Sequence, residues 1–335
     1  QMCIRDSQNG PEEYGFRGNA QNLDLNRDFI KCDAQNTQAF YEVFRTWKPH
    51  VFVDTHTSNG ADYQHVFTLL STQKDKIHPA LGDYMRDRLE PYIYQHMQEK
   101  GFPVIPYVNS IDQIPDRGIK AYMDYPRYST GYAALFNTMG FTSEAHMFKS
   151  FRERVLATKA FIQILVEYMK TNGSELEDLK KTVNALTADG LTFPIDWKWN
   201  DTLTVPVKYM GYEASFSPSR ITGHPRVFYD RNKPFTDSIQ FYDRYDVIKS
   251  AEKPAAYVIP QAWKEVTDRL IWNKIPMKQL AKDSLMYVTK TYIDNLSYAK
   301  RPYEGHFPHS KVSVRFASDS MQFYAGDWMI PMGYE

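Results

Sequence analysis

Two helix-then-strand pairs in the first part of the chain limit the fold more than any other feature. In the first pair, four apolar residues fall at helical spacing: Phe40, Val43, Phe44 and Trp47. Pro49 then breaks the helix, and VFVDTH has the composition of a buried strand. In the second pair, an amphipathic segment over residues 81–100 precedes the short apolar run VIPYV. This alternation predicts an α/β fold with a mixed sheet flanked by helices.

A change of composition near Ser174 indicates a second region. An amphipathic helix begins near Phe151, and Gly173 is expected to end it. Beyond that point, runs of Tyr, Trp, Thr and Val alternate with turn residues, which predicts a mostly β region. One helical insertion, QAWKEVTDRLIWNKI, interrupts the strands. The sequence therefore predicts domains over residues 8–173 and 174–335.

Both ends of the chain have the character of cut ends. Residues 1–7, QMCIRDS, show no structural period, and we interpret them as a foreign lead. The final run, GDWMIPMGYE, stops straight after apolar residues, so the second region is expected to be truncated at its C-terminus.

The balance of charge excludes one broad class of function. Forty basic residues match forty acidic ones, so the chain lacks the basic surface that nucleic-acid-binding proteins use against phosphates. No apolar stretch approaches the roughly 18 residues of a membrane-span candidate. Neither a nucleic-acid partner nor a membrane span is predicted.

The segment RGNAQNLDLNRDF, residues 17–29, carries most of the functional information. It places two arginines and an asparagine in a short polar stretch, and VDTH and FTSEAH follow it in that order. Together these motifs resemble the signature of the M14 zinc carboxypeptidases, over roughly residues 8–170. The resemblance implies a zinc-dependent hydrolase that removes C-terminal residues from peptides with a free C-terminus. Residues 8–173 would then be a partial catalytic domain and residues 174–335 an accessory region.

The resemblance assigns substrate-binding roles to the arginine segment. It implies that Asn26 and Arg27 hold the terminal carboxylate of the substrate, for which a guanidinium offers two parallel donors. The alternative is a structural ion pair between Arg27 and Asp24 or Asp28. Arg17 matches the arginine that polarises the scissile carbonyl and stabilises the oxyanion. Its alternative is a solvated loop arginine.

The resemblance also makes His56 the third zinc ligand and Glu144 the general base. His56 ends an apolar strand, where α/β sheets usually present active-site residues, although a histidine there can simply be hydrogen-bonded. Glu144 would take a proton from zinc-bound water and deliver it to the leaving amine. The alternative is a buried glutamate paired with Arg127. On the family interpretation, VFVDT and FTSEAH are neighbouring central strands that bring His56 and Glu144 to one edge.

The first two zinc ligands of that family, an upstream His-x-x-Glu, have no counterpart before the arginine segment. His96 and Glu99 have the spacing but lie downstream of the strand-end histidine, so we interpret them as chance. Glu304, His306 and His309 lie in a loop rich in glycine and proline and form a weak metal candidate. The chain as given is therefore expected neither to hold zinc tightly nor to hydrolyse peptides.

Several features stay open at this point. The family's mobile substrate-contacting tyrosine has four candidates here: Tyr122, Tyr125, Tyr128 and Tyr132. Two other functions compete with the carboxypeptidase hypothesis: a zinc amidase or deacylase on the same scaffold, and a non-catalytic peptide- or glycan-binding protein. Arg27 distinguishes the carboxypeptidase hypothesis from the amidase hypothesis, because an amidase needs no residue that binds a terminal carboxylate. Such relatives are usually exported bacterial enzymes, so a secreted or periplasmic location is expected.

Overall fold

The computed structural model describes residues 17–58 and 60–333. The proposed foreign lead, residues 1–7, lies outside the described residues. The described chain is α/β, with helices and mixed sheets, which confirms the predicted fold class at that level.

The helices and strands have the following bounds within the described residues. The α-helices are α1 (Gln35–Trp47), α2 (Pro79–Tyr84), α3 (Glu90–Glu99), α4 (Ser129–Ala134), α5 (Phe151–Asp189) and α6 (Lys264–Trp272). The first nine strands are β1 (Val51–Ser58), β2 (Phe67–Ser71), β3 (Ile105–Pro106), β4 (Ile119–Lys120), β5 (Met139–His146), β6 (Thr192–Trp199), β7 (Val205–Pro218), β8 (Pro225–Tyr242) and β9 (Tyr245–Glu252). The remaining strands are β10 (Ala256–Ile259), β11 (Lys278–Gln279), β12 (Ser284–Tyr298), β13 (His309–Phe323) and β14 (Trp328–Pro331).

The chain divides into two compact units that interleave along the sequence. Among the described residues, unit 1 contains residues 17–18, Asn26–Lys31 and the described part of Lys48–Glu252. Unit 2 contains Asn19–Leu25, Cys32–Trp47 and residues 253–333.

A mixed sheet with the order β1-β5-β2-β3 lies at the centre of unit 1. β1 and β5 run parallel, whereas β2 runs antiparallel to β5. Every residue of β5 is buried, including four polar ones, because the strand lies between β1 and β2. The prediction that VFVDT and FTSEAH are neighbouring strands is confirmed. The central position predicted for VFVDT is wrong within the described residues, because β1 pairs on one side only.

Helices pack on this sheet through one large apolar core. α2 and α3 are joined by the π-helical turn Met85–Leu89, so residues 79–99 form a continuous helical run, as the sequence predicts. Side chains of this run, including Leu81, Met85 and Leu89, are buried against α5. Removal of such apolar surface from water is the main favourable term in folding.

The helix α5 is longer than predicted. Its start is fixed by a capping box in which Ser150 and Glu153 satisfy each other's backbone N–H groups. The predicted end at Gly173 is wrong, because the helix continues to Asp189. Leu176 and Val183 are almost fully buried beyond the glycine. Burial of each such side chain contributes about 1.5–3 kcal/mol, which exceeds the roughly 1 kcal/mol cost of a glycine within a helix.

The rest of unit 1 is made of strands. β7 and β8 form a long antiparallel pair that also takes in β4, and β6 pairs with β9. A second, smaller core joins Tyr63, Ile105, Ile119, Tyr209 and Ile239.

Unit 2 combines two helices with strands from the C-terminal part of the chain. Its sheets are β10-β14-β11 and the hairpin β12-β13. The predicted helices around Phe40 and within QAWKEVTDRLIWNKI are confirmed as α1 and α6. Arg45 donates to the carbonyl of Asn273 at 2.9 Å, and Lys274 pairs with Glu42 at 2.7 Å, so the C-terminal end of α6 is fastened to α1. Among the described helices, none combines the length and apolar character that crossing a bilayer requires.

Candidate active site

His56 and Glu144 lie side by side at the C-terminal ends of two parallel strands. They are register partners in the β1–β5 pair, and His56 Nδ1 is 3.6 Å from Glu144 Oε1. Parallel strands end at the same edge of a sheet, so residues at equal distances from those ends become neighbours. The prediction that these two residues share one edge is confirmed. Their catalytic roles stay predictions.

Asp54 fixes the orientation of the His56 ring. Its Oδ2 is 2.9 Å from His56 Nε2. Burial alone would raise the pKa of Asp54, but hydrogen bonds with His56 and Ser129 and the charge of His56 hold it below its usual value. Because the Asp54 carboxylate contacts Nε2, the Nδ1 edge of the ring faces Glu144. A carboxylate on the remote nitrogen is the common arrangement behind a metal-binding histidine.

Sequence reasoning missed Asp54, although the signal was present. Side chains two residues apart on a strand point to the same face, so the spacing in VDTH already places Asp54 beside His56.

Glu144 has the environment of a proton-transfer group. Its side chain is 11% exposed, and its Oε2 has no hydrogen-bond partner in the described part of the chain. Burial raises the pKa of the Glu144 carboxyl, outweighing the hydrogen bond and charge of His56 and the charge of Arg17. A raised carboxyl pKa moves the group towards neutral pH, where a general base can both accept and return a proton. Arg127, the alternative partner considered for Glu144, contacts Tyr128 instead.

Arg17 belongs to the same neighbourhood. It is a partly buried residue of unit 1, and its positive charge acts on the Glu144 carboxyl. The oxyanion-stabilising role assigned to Arg17 stays a prediction.

The segment that contains Asn26 and Arg27 lies against the tyrosine-rich stretch of unit 1. Arg27 Nη1 donates to the carbonyl of Asn26 at 2.8 Å, and its guanidinium carbon lies 4.7 Å from the centre of the Tyr128 ring. The carboxylate partners considered for Arg27 do not pair with it within the described residues, and Asp28 lies 3.7 Å from Lys31. Arg27 thus keeps its charge uncompensated by any described carboxylate.

Two of the four candidate tyrosines lie beside Arg27. Tyr122 donates a short hydrogen bond to Tyr128, and Arg127 Nη2 donates to the same hydroxyl oxygen at 2.8 Å. Burial alone would raise the pKa of Tyr128, but these hydrogen bonds and the charges of Arg27 and Arg127 lower it. Tyr132 is fully buried, and Tyr125 donates to Asp196 at 3.2 Å. The structure therefore brings Tyr122 and Tyr128 to the arginine segment.

Two contacts connect this stretch to the strand-end pair. The backbone N–H of Phe29 donates to the carbonyl of Arg127 at 3.3 Å. Ser129, which follows Tyr128, is hydrogen-bonded to Asp54. Arg27, Tyr128 and the His56–Glu144 pair are therefore connected through Ser129 and Asp54 within unit 1.

A second buried polar cluster extends the same two strands and was not anticipated. Ser58 and His146 are register partners, with Ser58 Oγ 3.5 Å from His146 Nδ1, and His146 Nε2 is 3.5 Å from Asp62 Oδ1. Tyr63 stacks on the His146 ring at 4.1 Å between centroids. Ser58 is only 3% exposed, and its hydroxyl also lies 3.3 Å from the Tyr63 hydroxyl, so its polar contacts lie within the cluster. The two-residue period after His56 and Glu144 predicts this juxtaposition.

The described residues do not make a zinc site on their own. His56 fits one ligand position, because Asp54 orients it and its Nδ1 faces the region of Glu144. Within the described ranges, no group of three His, Cys, Asp or Glu side chains is placed to hold a metal ion. A catalytic zinc site normally takes three protein ligands.

The other sequence candidates for metal binding have local partners. In unit 1, His96 stacks on Tyr92 at 3.8 Å and its Nδ1 lies 2.8 Å from the Tyr92 carbonyl. In unit 2, His306 Nε2 lies 2.6 Å from Asp33 Oδ2, and Glu304 accepts from the backbone N–H of Asp24.

Comparison of the chain with protein-family models, curated proteins and solved structures yields no match.

Proposed function

We propose that this chain carries part of a zinc-dependent carboxypeptidase of the M14 type. The main support is the register pairing of His56 with Glu144 at the ends of two parallel strands, with the charge of Arg17 acting on the same carboxyl. On this proposal residues 8–173 form a partial catalytic domain with a carboxypeptidase-like fold. Residues 174–335 form an accessory region, and the parent protein is secreted or periplasmic.

Each residue then has one task. Glu144 accepts the proton of the attacking water and returns it to the leaving amine, a task that its raised pKa favours. Arg17 stabilises the negative charge that develops on the scissile carbonyl oxygen. His56, oriented by Asp54, would be one ligand of the zinc ion, which when bound lowers the pKa of water to about 7.

Arg27 gives the proposal its exopeptidase character. Its guanidinium lacks a carboxylate partner among the described residues, and Tyr128 covers it on one side. A guanidinium without a carboxylate partner has donors that match the terminal carboxylate of a peptide. An amide-capped terminus cannot accept these hydrogen bonds as an anion, so we expect the enzyme to need a free C-terminus.

The proposal is tested by comparing two forms of the protein. One is the 335-residue chain, and the other is extended upstream by the residues that its gene encodes, if these include a His-x-x-Glu. After dialysis, we expect stoichiometric zinc and carboxypeptidase activity only in the longer form, because one imidazole does not make a tight site. Glu144→Gln in the longer form should retain zinc and lose activity by roughly 10²–10⁴-fold.

Two outcomes would contradict the proposal in different ways. Stoichiometric zinc in the 335-residue chain would mean that its ligands lie elsewhere, with His96 and Glu99 or His306 and His309 as the next candidates. Equal hydrolysis of free and amidated peptides by the longer form would favour the amidase, and Arg27→Ala would then leave activity unchanged.

A further inference from the structure

We propose that Arg127 forms with Arg27 a second carboxylate position, so that the site prefers peptides whose last residue is itself acidic. This inference rests on the proposed function, because it assigns the terminal carboxylate to Arg27. It adds a specificity-determining residue and a substrate class.

Both arginines lie against one tyrosine. The guanidinium carbons of Arg27 and Arg127 are 4.7 Å and 4.9 Å from the centre of the Tyr128 ring. Arg127 is also fixed in place, because its Nη2 donates to the Tyr128 hydroxyl and its carbonyl accepts from Phe29 N–H. Both guanidinium groups therefore contact the same ring, and hydrogen bonds from Phe29 and to Tyr128 hold Arg127 there.

This arrangement leaves an excess of positive charge. Neither guanidinium is paired with a carboxylate within the described residues, although like charges near one another repel. In the same unit, Arg117 is an exposed arginine that does have such a partner, Asp112 at 3.2 Å. Two neighbouring uncompensated guanidinium groups are complementary to a ligand that carries two negative charges.

The tyrosines supply the remaining donor. The Tyr128 oxygen accepts hydrogen bonds from both Tyr122 and Arg127, so its own hydroxyl hydrogen is available to a ligand. Arg27 is partly buried, whereas Arg127 is exposed at the rim. The deeper arginine suits the terminal carboxylate, and the outer one suits a carboxylate on the last side chain. A C-terminal glutamate or aspartate carries both groups.

The test measures binding, which needs no bound metal. Calorimetric titration of the 335-residue chain compares short peptides that end in Glu, in Gln, or in amidated Glu. We expect the Glu peptide to bind roughly tenfold more tightly than its neutral isostere, because one charge-assisted hydrogen bond is gained. Amidation of the terminal carboxylate should weaken binding, because Arg27 then loses its anionic partner.

Three variants separate the two carboxylate positions. Arg127→Gln should bring the Glu-to-Gln affinity ratio close to one while keeping the penalty for amidation. Arg27→Gln should remove the amidation penalty. Arg117→Gln, which removes an exposed arginine with its own carboxylate partner, should change neither ratio. Thermal melts establish that each variant is folded.

The inference is overturned if the unmodified chain binds the Glu and Gln peptides equally, if Arg127→Gln preserves their ratio, or if no peptide binds. Failure of the proposed function is a separate result. In that case the longer form would lack zinc-dependent hydrolysis, while the 335-residue chain would still bind the Glu peptide more tightly than the Gln peptide.

Discussion

His65 shows how a single buried side chain couples the stability of unit 1 to pH. It is 2% exposed, its Nδ1 hydrogen is donated to the carbonyl of Pro103 at 3.0 Å, and its Nε2 accepts from Met210 N–H at 3.1 Å. Burial lowers the pKa of His65 from 6.5 to about 4, even though the hydrogen bond to Pro103 opposes the shift. The fold therefore requires the neutral ring.

A stability prediction follows from the direction of this shift. Above the unfolded pKa of 6.5 the contribution of His65 is fully present, and it is lost as the pH falls towards 4. Between pH 7.5 and pH 5.5 we expect the free energy of unfolding to drop by about 1 kcal/mol through this residue. Urea denaturation at both pH values should show a smaller drop for His65→Gln. The control His224→Gln changes an exposed histidine and should retain the full drop in the free energy of unfolding. Equal drops in the unmodified chain and in both variants would contradict the assignment of this pH dependence to His65.

Residue types and spacing predicted part of the candidate site. A strand-end histidine and a strand-borne glutamate were predictable as neighbours, because parallel strands bring equivalent positions together. The Arg127–Tyr128 contact was not predictable in this way. It depends on how an irregular loop lies against the Phe29 backbone, and no sequence period describes that packing.

At the scale of elements, α4 is placed by a close approach of backbones. An added Cβ at Gly131 would lie 2.2 Å from the carbonyl oxygen of Tyr125 and 2.3 Å from that of Asp124. Only glycine lets the helix approach the tyrosine-rich segment this closely. The position of Tyr128, at the entrance to α4, depends on the same approach.

Two glycine substitutions should therefore have opposite effects. Gly131→Ala is expected to destabilise the protein by about 1–3 kcal/mol, since the clash involves backbone atoms that cannot rotate away. Gly173→Ala, within α5 and with nothing within 4 Å of its added Cβ, should stabilise by about 0.5–1 kcal/mol. Thermal or urea unfolding measures both. Similar effects from the two changes would refute the close-approach argument.

Element boundaries were less predictable than element types. The spacing and runs of apolar residues identified α1, α3, α6, β1 and β5. The end of α5 was misjudged since glycine is a weak local signal, and the buried residues beyond it outweigh its preference.

For the whole molecule, the buried ion pair between Lys76 and Asp124 offers a way to destabilise one unit and to measure whether the other unit is affected. The Lys76 Nζ lies 2.7 Å from Asp124 Oδ1, and their side chains are 7% and 1% exposed. Lys76→Met leaves a buried carboxylate without its cation, a change that costs about 3–5 kcal/mol. Both residues belong to unit 1.

Hydrogen exchange can locate this loss. We expect Lys76→Met to accelerate amide exchange in β2 and β5 of unit 1, while α6 and β10–β14 of unit 2 keep their protection. Lys278→Met, a change on the exposed strand β11, serves as the matched control and should alter neither unit. Uniform acceleration across both units would show that they unfold together.

The interleaving of the two units also sets an order of events during synthesis on the ribosome. Helix α1 leaves the ribosome early, but α6 and the strands of unit 2 follow only after Lys253. At roughly 5–20 residues per second, the about 200 intervening residues take on the order of 10–40 s to be made. Tyr41 and Phe44 of α1, buried in the finished protein, remain uncovered for that interval. The nascent chain therefore displays an apolar helix face that chaperones can bind, while the strands that carry His56 and Glu144 can already pair.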